Sequence, residues 1–216
     1  RALIPGKNVK KAARANIIFV GGGYDDDKVL SSIGKTAIAN KQFGLAAVEP
    51  FKSNLDKLNF WYITKFHSLE PCQQTPSMNC PSSVFMPLAE NCPYGNKYVV
   101  DVMNQDVGGD AGERMVVLAI PVSAALPDEH IARLFVHEFG HAFGGLGDEY
   151  DKGLGANPHP TPVSIFSDHR NCYAGTQATE QECIEQAPWS KLQGTACFEG
   201  CGGYTQNIFR PTKTSI

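Results

Sequence analysis

The chain has 216 residues, of which 42% are apolar and 19% charged, and this suits a single domain with a sizeable core. The formal net charge is −3 and both signs are mixed along the chain, so the sequence lacks the basic stretches that bind nucleic acid or anionic membranes. No apolar run approaches the roughly 18 residues of a membrane span. The chain begins at Arg1 and not at a Met, which predicts a processed or trimmed product.

The first predicted elements are a buried strand and a helix joined by a glycine turn. Residues 16–20 (NIIFV) form a short apolar run, and apolar residues recur at helical spacing over 29–38. The glycines at 21–23 match neither Gly-x-Gly-x-x-Gly nor the Walker pattern, so no phosphate loop is expected. The aspartates at 25–27 are interpreted as helix N-terminal charges, and a calcium site stays an alternative.

Three further strands are predicted between residues 58 and 120. They cover residues 58–66, 98–103 and 114–120, where β-branched and aromatic residues cluster. Residues 70–96 contain several prolines and three cysteines, which indicates a long insertion that either lines a cleft or forms a disulfide-held lobe. Residues 108–112 (GGDAG) are interpreted as a flexible turn. This order of elements predicts an α/β or mixed α+β architecture.

The chemical signal of the sequence is His137-Glu138-Phe139-Gly140-His141. On a helix, residues i and i+4 share one face, so the imidazoles of His137 and His141 can bind one metal ion. Glu138 lies beside the pair and can reach a water without being a ligand, as in zinc hydrolases. Asp128 is a suitable N-cap and Gly144-Gly145 a suitable C-terminal break. The alternative is that both histidines are core residues.

Two histidines leave a catalytic zinc short of one protein ligand. The chain can reverse at the glycines after the helix, and two carboxylates follow at Asp148 and Glu149. Asp148 is favoured because a ligand must come within a few residues of the turn, and Glu149 is expected instead to pair with a basic group such as Arg210. His159 and His169 stay open as alternatives.

The run HEFGHAFGGLGDEY resembles the M64 metallopeptidases, the group that contains bacterial IgA-cleaving peptidases. Three other segments resemble the same family, namely IIFVGGGYDDDKV, EPFKSNLDKLNFWYI and GGYTQNIFRPTKTSI. The wider metzincin signature has a third His where this chain has Gly147, and the M64 resemblance implies an acidic ligand at Asp148. It also implies a metzincin-like zincin fold, with a mixed twisted sheet, a long active-site helix and an irregular, disulfide-bearing C-terminal part.

The resemblance further implies one catalytic domain over residues 1–216. Residues 1–143 would form an upper half of sheet and helices, and 144–216 an irregular lower half. All four methionines precede the HExxH motif, so the methionine turn of a metzincin is expected immediately after Ile216, and the alternative is a turn that is built differently.

Seven cysteines fall into two groups within regions rich in Pro, Gly and Asn. No two form a Cys-x-x-Cys pair, so a second, thiolate zinc site is not expected. Disulfides are predicted within each group, which indicates an oxidising compartment. The odd cysteine is either a buried free thiol or has a partner beyond Ile216. The groups are Cys72, Cys80 and Cys92, and Cys172, Cys183, Cys197 and Cys201.

These observations predict a secreted or periplasmic endopeptidase whose cofactor is Zn²⁺ and whose substrate is a protein or peptide. The zinc-bound water would lose its proton to Glu138, which would pass it to the leaving amine. The strand at 114–120 is expected to offer an edge to an extended substrate. The candidates for the oxyanion donor are Tyr204, His159, His169 and Arg210.

Two alternative functions come from other classes of protein. One is a zinc hydrolase of a non-peptide bond, such as an amidase or deacetylase, because a fold does not fix the bond that is cleaved. The other is a non-hydrolytic zinc-containing binding module. The intact Glu138 argues against that module, since a structural zinc needs no base.

Overall fold

Five strands form a mixed sheet in the order β2-β1-β3-β5-β4. Strands β2, β1, β3 and β5 are parallel to one another, and β4 pairs antiparallel with β5 at one edge. The predicted mixed α/β architecture is therefore confirmed. The strands are β1 (Ala15–Gly22), β2 (Leu58–His67), β3 (Lys97–Met103), β4 (Gly108–Gly112) and β5 (Met115–Ala119).

The structure is a computed structural model that describes residues 1–4, 14–70, 72, 80–123, 126–150, 152–156, 170–175 and 179–213. The chain divides into two units, Arg1–Ala142 and Phe143–Ile216. The sheet belongs to the first unit. The single catalytic domain over 1–216, with halves 1–143 and 144–216, stays a prediction.

The sequence assigned the sheet edge to the wrong segment. Residues 108–112 were expected to be a flexible turn, but they form strand β4 at the edge of the sheet. Strand β5, which was expected to offer an edge, lies between β3 and β4. Three of the five residues of β4 are glycines, which have a low β-propensity, so the sequence pattern does not indicate a strand. The pairing with β5 determines the conformation.

Three helices pack on the sheet of the first unit: α1 (Asp27–Ala39), α2 (Ser82–Glu90) and α3 (Asp128–Gly144). The Asp26 carboxylate caps α1 by accepting from the Lys28 amide at 2.8 Å, as the charge pattern predicted. Helix α2 lies within the predicted long insertion. Asp128 lies in the first turn of α3 and not at its N-cap, because α3 begins one residue earlier than predicted.

Alternating side chains of the central strands build two cores, one on each face of the sheet. Ile17 and Phe19 of β1 pack with residues of α1 and α3, whereas Ile18 and Val20 pack with residues of α2. Residues on both faces are fully buried, which is why parallel strands of this kind appear in sequence as continuous apolar runs. The HExxH helix is thus fixed on a rigid sheet.

Phe135 is a central contact between α3 and the sheet. Its ring is fully buried and lies 5.3 Å from the Phe139 ring and 5.5 Å from the Phe19 ring, centroid to centroid. We expect Phe135→Ala to lower the free energy of unfolding by about 3–5 kcal/mol, because the lost aromatic leaves a cavity that neighbours fill only in part. Denaturant unfolding measures the change.

Phe143→Ala is the matched control for that substitution. The Phe143 side chain is 40% exposed, so its truncation should cost clearly less. Equal losses for the two variants would contradict the role of Phe135 in the core.

The second unit contains a short helix, α4 (Glu180–Gln186), and a two-stranded antiparallel sheet, β6 (Phe198–Cys201) with β7 (Tyr204–Arg210). These elements lie in the part of the chain that was predicted to be irregular. The Thr179 hydroxyl caps α4 by accepting from the Glu182 amide. Small apolar clusters around the cysteines stabilise this unit in place of an extended sheet core.

The cysteines pair within the two predicted groups. Cys92 is a buried free thiol, which is the simpler of the two predicted accounts. The prediction of local disulfides is confirmed, whereas the individual partners could not be deduced from spacing. The three disulfides are Cys72–Cys80, Cys172–Cys201 and Cys183–Cys197. Within the described residues, no helix is long and apolar enough to cross a membrane.

Candidate metal centre

Helix α3 carries the HExxH residues in its last two turns. Asp128 and Glu129 occupy its first turn, where negative charge complements the helix dipole. The helix ends at Gly144, and Gly145 follows with φ of 62°, the left-handed conformation expected at a helix C-terminus. The predicted position of the motif, just before a sharp break, is what the structure shows.

His137 and His141 come together on one face of α3. Their Nε2 atoms are 3.2 Å apart, and the rings meet edge to face with centroids 4.6 Å apart. Two nitrogens bound to one tetrahedral zinc at about 2.0–2.1 Å would be about 3.3 Å apart. The spacing of these two imidazoles therefore fits a shared zinc ion.

Glu138 packs against the edge strand of the sheet. Its side chain is buried, and the residue is only 7% exposed. A Cβ atom added at Gly109 of β4 would lie 2.7 Å from Glu138 Cγ and 2.8 Å from Cδ, and would also clash with Oε1. The carboxylate thus occupies the space that the missing side chain of Gly109 leaves open.

Asp148 lies in the second unit. Its Oδ2 forms an ion pair of 2.9 Å with Lys152 Nζ, and its backbone carbonyl accepts from the Gly202 amide at 2.8 Å. The hydrogen bond to Asp148, against a smaller effect of burial, raises the pKa of Lys152. Two imidazoles and a carboxylate are a donor set that suits zinc, and the role of Asp148 as the third ligand stays a prediction.

The prediction that Glu149 pairs with a basic group such as Arg210 was wrong. Glu149 accepts from Asn171 Nδ2 at 3.0 Å and from Thr212 Oγ1 at 2.6 Å. The Arg210 guanidinium instead donates to backbone carbonyls, including those of Gly200 at 2.5 Å and Thr212 at 3.0 Å. Neutral donors therefore hold Glu149 within the second unit.

The remaining predicted residues lie in the second unit or outside the described residues. Tyr204 begins β7 and Arg210 ends it, both in the second unit. His159 and His169 lie outside the described residues. Gly109 was missed as a site residue, because the glycines at 108, 109 and 112 made the segment resemble a turn.

Comparison with known proteins gives limited similarity. No family model matches the chain, and no curated protein matches it. Among solved structures, the chain is similar to archaemetzincin from Methanopyrus kandleri, at 16% identity and with a TM-score of 0.41. The match covers 84% of this chain and 91% of that chain. An identity of 16% does not transfer a role to any individual side chain.

Proposed function

We propose that the protein is a zinc-dependent endopeptidase of the metzincin type, related to the M64 group and working outside the cytosol. The observation that carries the proposal is the 3.2 Å approach of the His137 and His141 Nε2 atoms, with the buried carboxylate of Glu138 next to them in the helix. A pair of core histidines would have no need of an adjacent buried carboxylate.

Glu138 is proposed as the general base and then the general acid. A bound zinc ion would supply Lewis acidity that polarises the scissile carbonyl and acidifies a water. The Glu138 carboxylate would take the proton from the attacking water and donate it to the leaving amine. Burial of Glu138 and its packing on Gly109 would restrict the carboxylate to few positions, which favours transfer along a fixed path.

The proposed substrate is an extended peptide bound along the outer edge of β4. The other edge of the sheet is already paired, because Ala2 bridges Trp61 of β2 and the Leu3 amide donates to Phe60 at 3.0 Å. Beyond β4, the described part of the first unit adds no further strand. A peptide that pairs with β4 would run past Glu138, since Glu138 packs on Gly109 of the same strand.

Asp148 is proposed as the third zinc ligand. Asp148→Ala should lower zinc affinity by about tenfold or more, because two imidazoles alone hold the ion weakly. Glu149→Gln should largely keep the metal, since the amide can still bond to Thr212 and Asn171 in the second unit. Zinc retained after dialysis, measured per chain, compares the two variants. Zinc loss in Glu149→Gln but not in Asp148→Ala would identify Glu149 as the third ligand instead.

The proposed location follows from the disulfides. Three disulfides in a chain of this length are typical of proteins that fold in the periplasm or outside the cell. Non-reducing peptide mapping of the protein purified from its natural source tests this. Free thiols at most of these positions would contradict the location.

A peptide-library digest read by mass spectrometry tests the function itself. We expect cleavage within peptides that stops after chelation and returns on addition of Zn²⁺. Acetylated sugars incubated in parallel distinguish a non-peptide hydrolase. Zinc binding without turnover of any substrate would overturn the proposal in favour of a binding module.

A further inference from the structure

A second cluster of metal-binding side chains lies in the first unit, apart from the HExxH motif. One ligand atom from each of His67, Cys72 and Cys80 lies within 4.8 Å of the other two. His67 ends β2, and Cys80 lies two residues before α2. The His67 side chain is 5% exposed, and the two cysteines are 6% and 8% exposed. The cluster is therefore shielded from water.

The cluster exists in an oxidised form in this structure, because Cys72 and Cys80 form a disulfide. A disulfide sulfur is a poor metal ligand, whereas a thiolate is the preferred ligand of zinc and other soft cations. Metal binding at this position and the disulfide therefore exclude each other.

His67 is oriented as metal-binding histidines usually are. Its Nε2 lies 2.8 Å from Asp101 Oδ1, and its Nδ1 lies 2.9 Å from the Ser68 carbonyl oxygen. Metal-bound histidines commonly hold a carboxylate or a carbonyl on the nitrogen opposite the metal. One of these two contacts would fix the ring, while the other nitrogen would exchange its present partner for the ion.

Asp101 provides an independent indication of a cation nearby. The residue is fully buried in β3, and its Oδ2 has no hydrogen-bond partner among the described residues. An unsatisfied carboxylate oxygen in the protein interior is costly. A divalent cation bound to His67 would add positive charge beside this carboxylate and offset part of that cost.

We propose that Cys72, Cys80 and His67 form a redox-gated metal site for a soft divalent cation such as Zn²⁺. A dithiol reductant would supply two electrons and two protons, break the Cys72–Cys80 bond and form its own disulfide. The two resulting thiols would release their protons to solvent when the metal binds as a bis-thiolate. The third ligand is a ring nitrogen of His67, and the fourth position is left for water or a further ligand.

The movement that this change requires is small. The sulfurs of a disulfide are about 2.0 Å apart. Two thiolates on a tetrahedral zinc at about 2.3 Å are about 3.7 Å apart. All three ligand atoms already lie within 4.8 Å of one another, so the change requires rotation of the cysteine side chains and the loss of one of the two His67 contacts.

The absence of a Cys-x-x-Cys pair does not argue against this site. That spacing describes two thiolates from one tight loop. Here a histidine at a strand end and two cysteines that are eight residues apart supply the ligands. Only the fold shows that they meet.

Cobalt(II) titration of the full chain tests the proposal. The protein is reduced with a dithiol under native conditions and freed of reductant without air. Thiols should rise from one, at Cys92, to three. Reduced protein should then bind one cobalt more than oxidised protein and gain a thiolate-to-cobalt charge-transfer absorption. The HExxH motif contains no sulfur and cannot produce this absorption, so the result is independent of the proposed peptidase activity.

Three variants complete the test. Cys72→Ser with Cys80→Ser should lose the absorption and the additional cobalt, whereas His137→Ala should keep both. His67→Gln, which can still donate to Asp101, should lower affinity at this site by about tenfold or more. Three thiols without additional cobalt, or a disulfide that resists reduction until the protein unfolds, would overturn the proposal. Unchanged affinity in His67→Gln would overturn the ligand role of His67.

Discussion

Replacing Glu138 by Ala or Gln should lower peptide turnover by about 10²–10⁴-fold while zinc stays near one per chain. The proposed base is lost, and its contribution is of this size in other enzymes. The two histidines that would hold the metal are unchanged, so the zinc content should stay the same although the activity falls. Steady-state cleavage of one fluorogenic peptide and metal analysis of the same samples measure both quantities.

The Gln variant separates the chemistry from the packing of Glu138. Glutamine has nearly the same shape and can fill the space over Gly109, whereas alanine leaves that space empty. Equal losses in the two variants would locate the effect in the carboxylate itself. More than a tenth of the activity retained in either variant would show that Glu138 is not the base.

Gly109→Ala should lower turnover by about 10²-fold without removing zinc. The new Cβ would lie 2.7 Å from Glu138 Cγ, so the carboxylate or strand β4 must move. A displacement of about 1 Å at a catalytic group can cost this much. The backbone of Gly109 is not in the left-handed region, so the substitution tests space and not backbone strain.

Gly112→Ala in the same strand is the matched control. A Cβ atom there would meet only Met115 Cε, at 3.9 Å, so activity should stay close to that of the unchanged chain. In a Glu138→Asp background, the shorter side chain should make Gly109→Ala nearly neutral, which is the signature of a direct contact. Equal activity of Gly109→Ala and Gly112→Ala would contradict the steric role.

Much of the first unit could be predicted because its signals are local. The apolar run at 16–20 and the β-branched segments at 58–66 and 98–103 gave strands within one or two residues of their observed bounds. The spacing of His137 and His141 fixed their proximity, because the geometry of a helix determines it.

The rest depended on contacts between distant segments. Strand β4 carries no strand signal of its own and forms only because β5 pairs with it. The packing of Gly109 under Glu138 joins residues that are 29 positions apart, and His67 meets Asp101 across 34 positions. The disulfide partners were ambiguous for the same reason, since spacing alone allows several pairings.

The two disulfides of the second unit are nested, with Cys183–Cys197 inside the segment that Cys172–Cys201 closes. A peptidase of the proposed kind would meet its own copies as competing substrates, and exposed loops are where such cuts occur. A single cut anywhere between residues 172 and 201 would leave both fragments covalently joined. Protein that has been nicked in this segment would therefore migrate as one chain in electrophoresis without reductant and separate only after reduction.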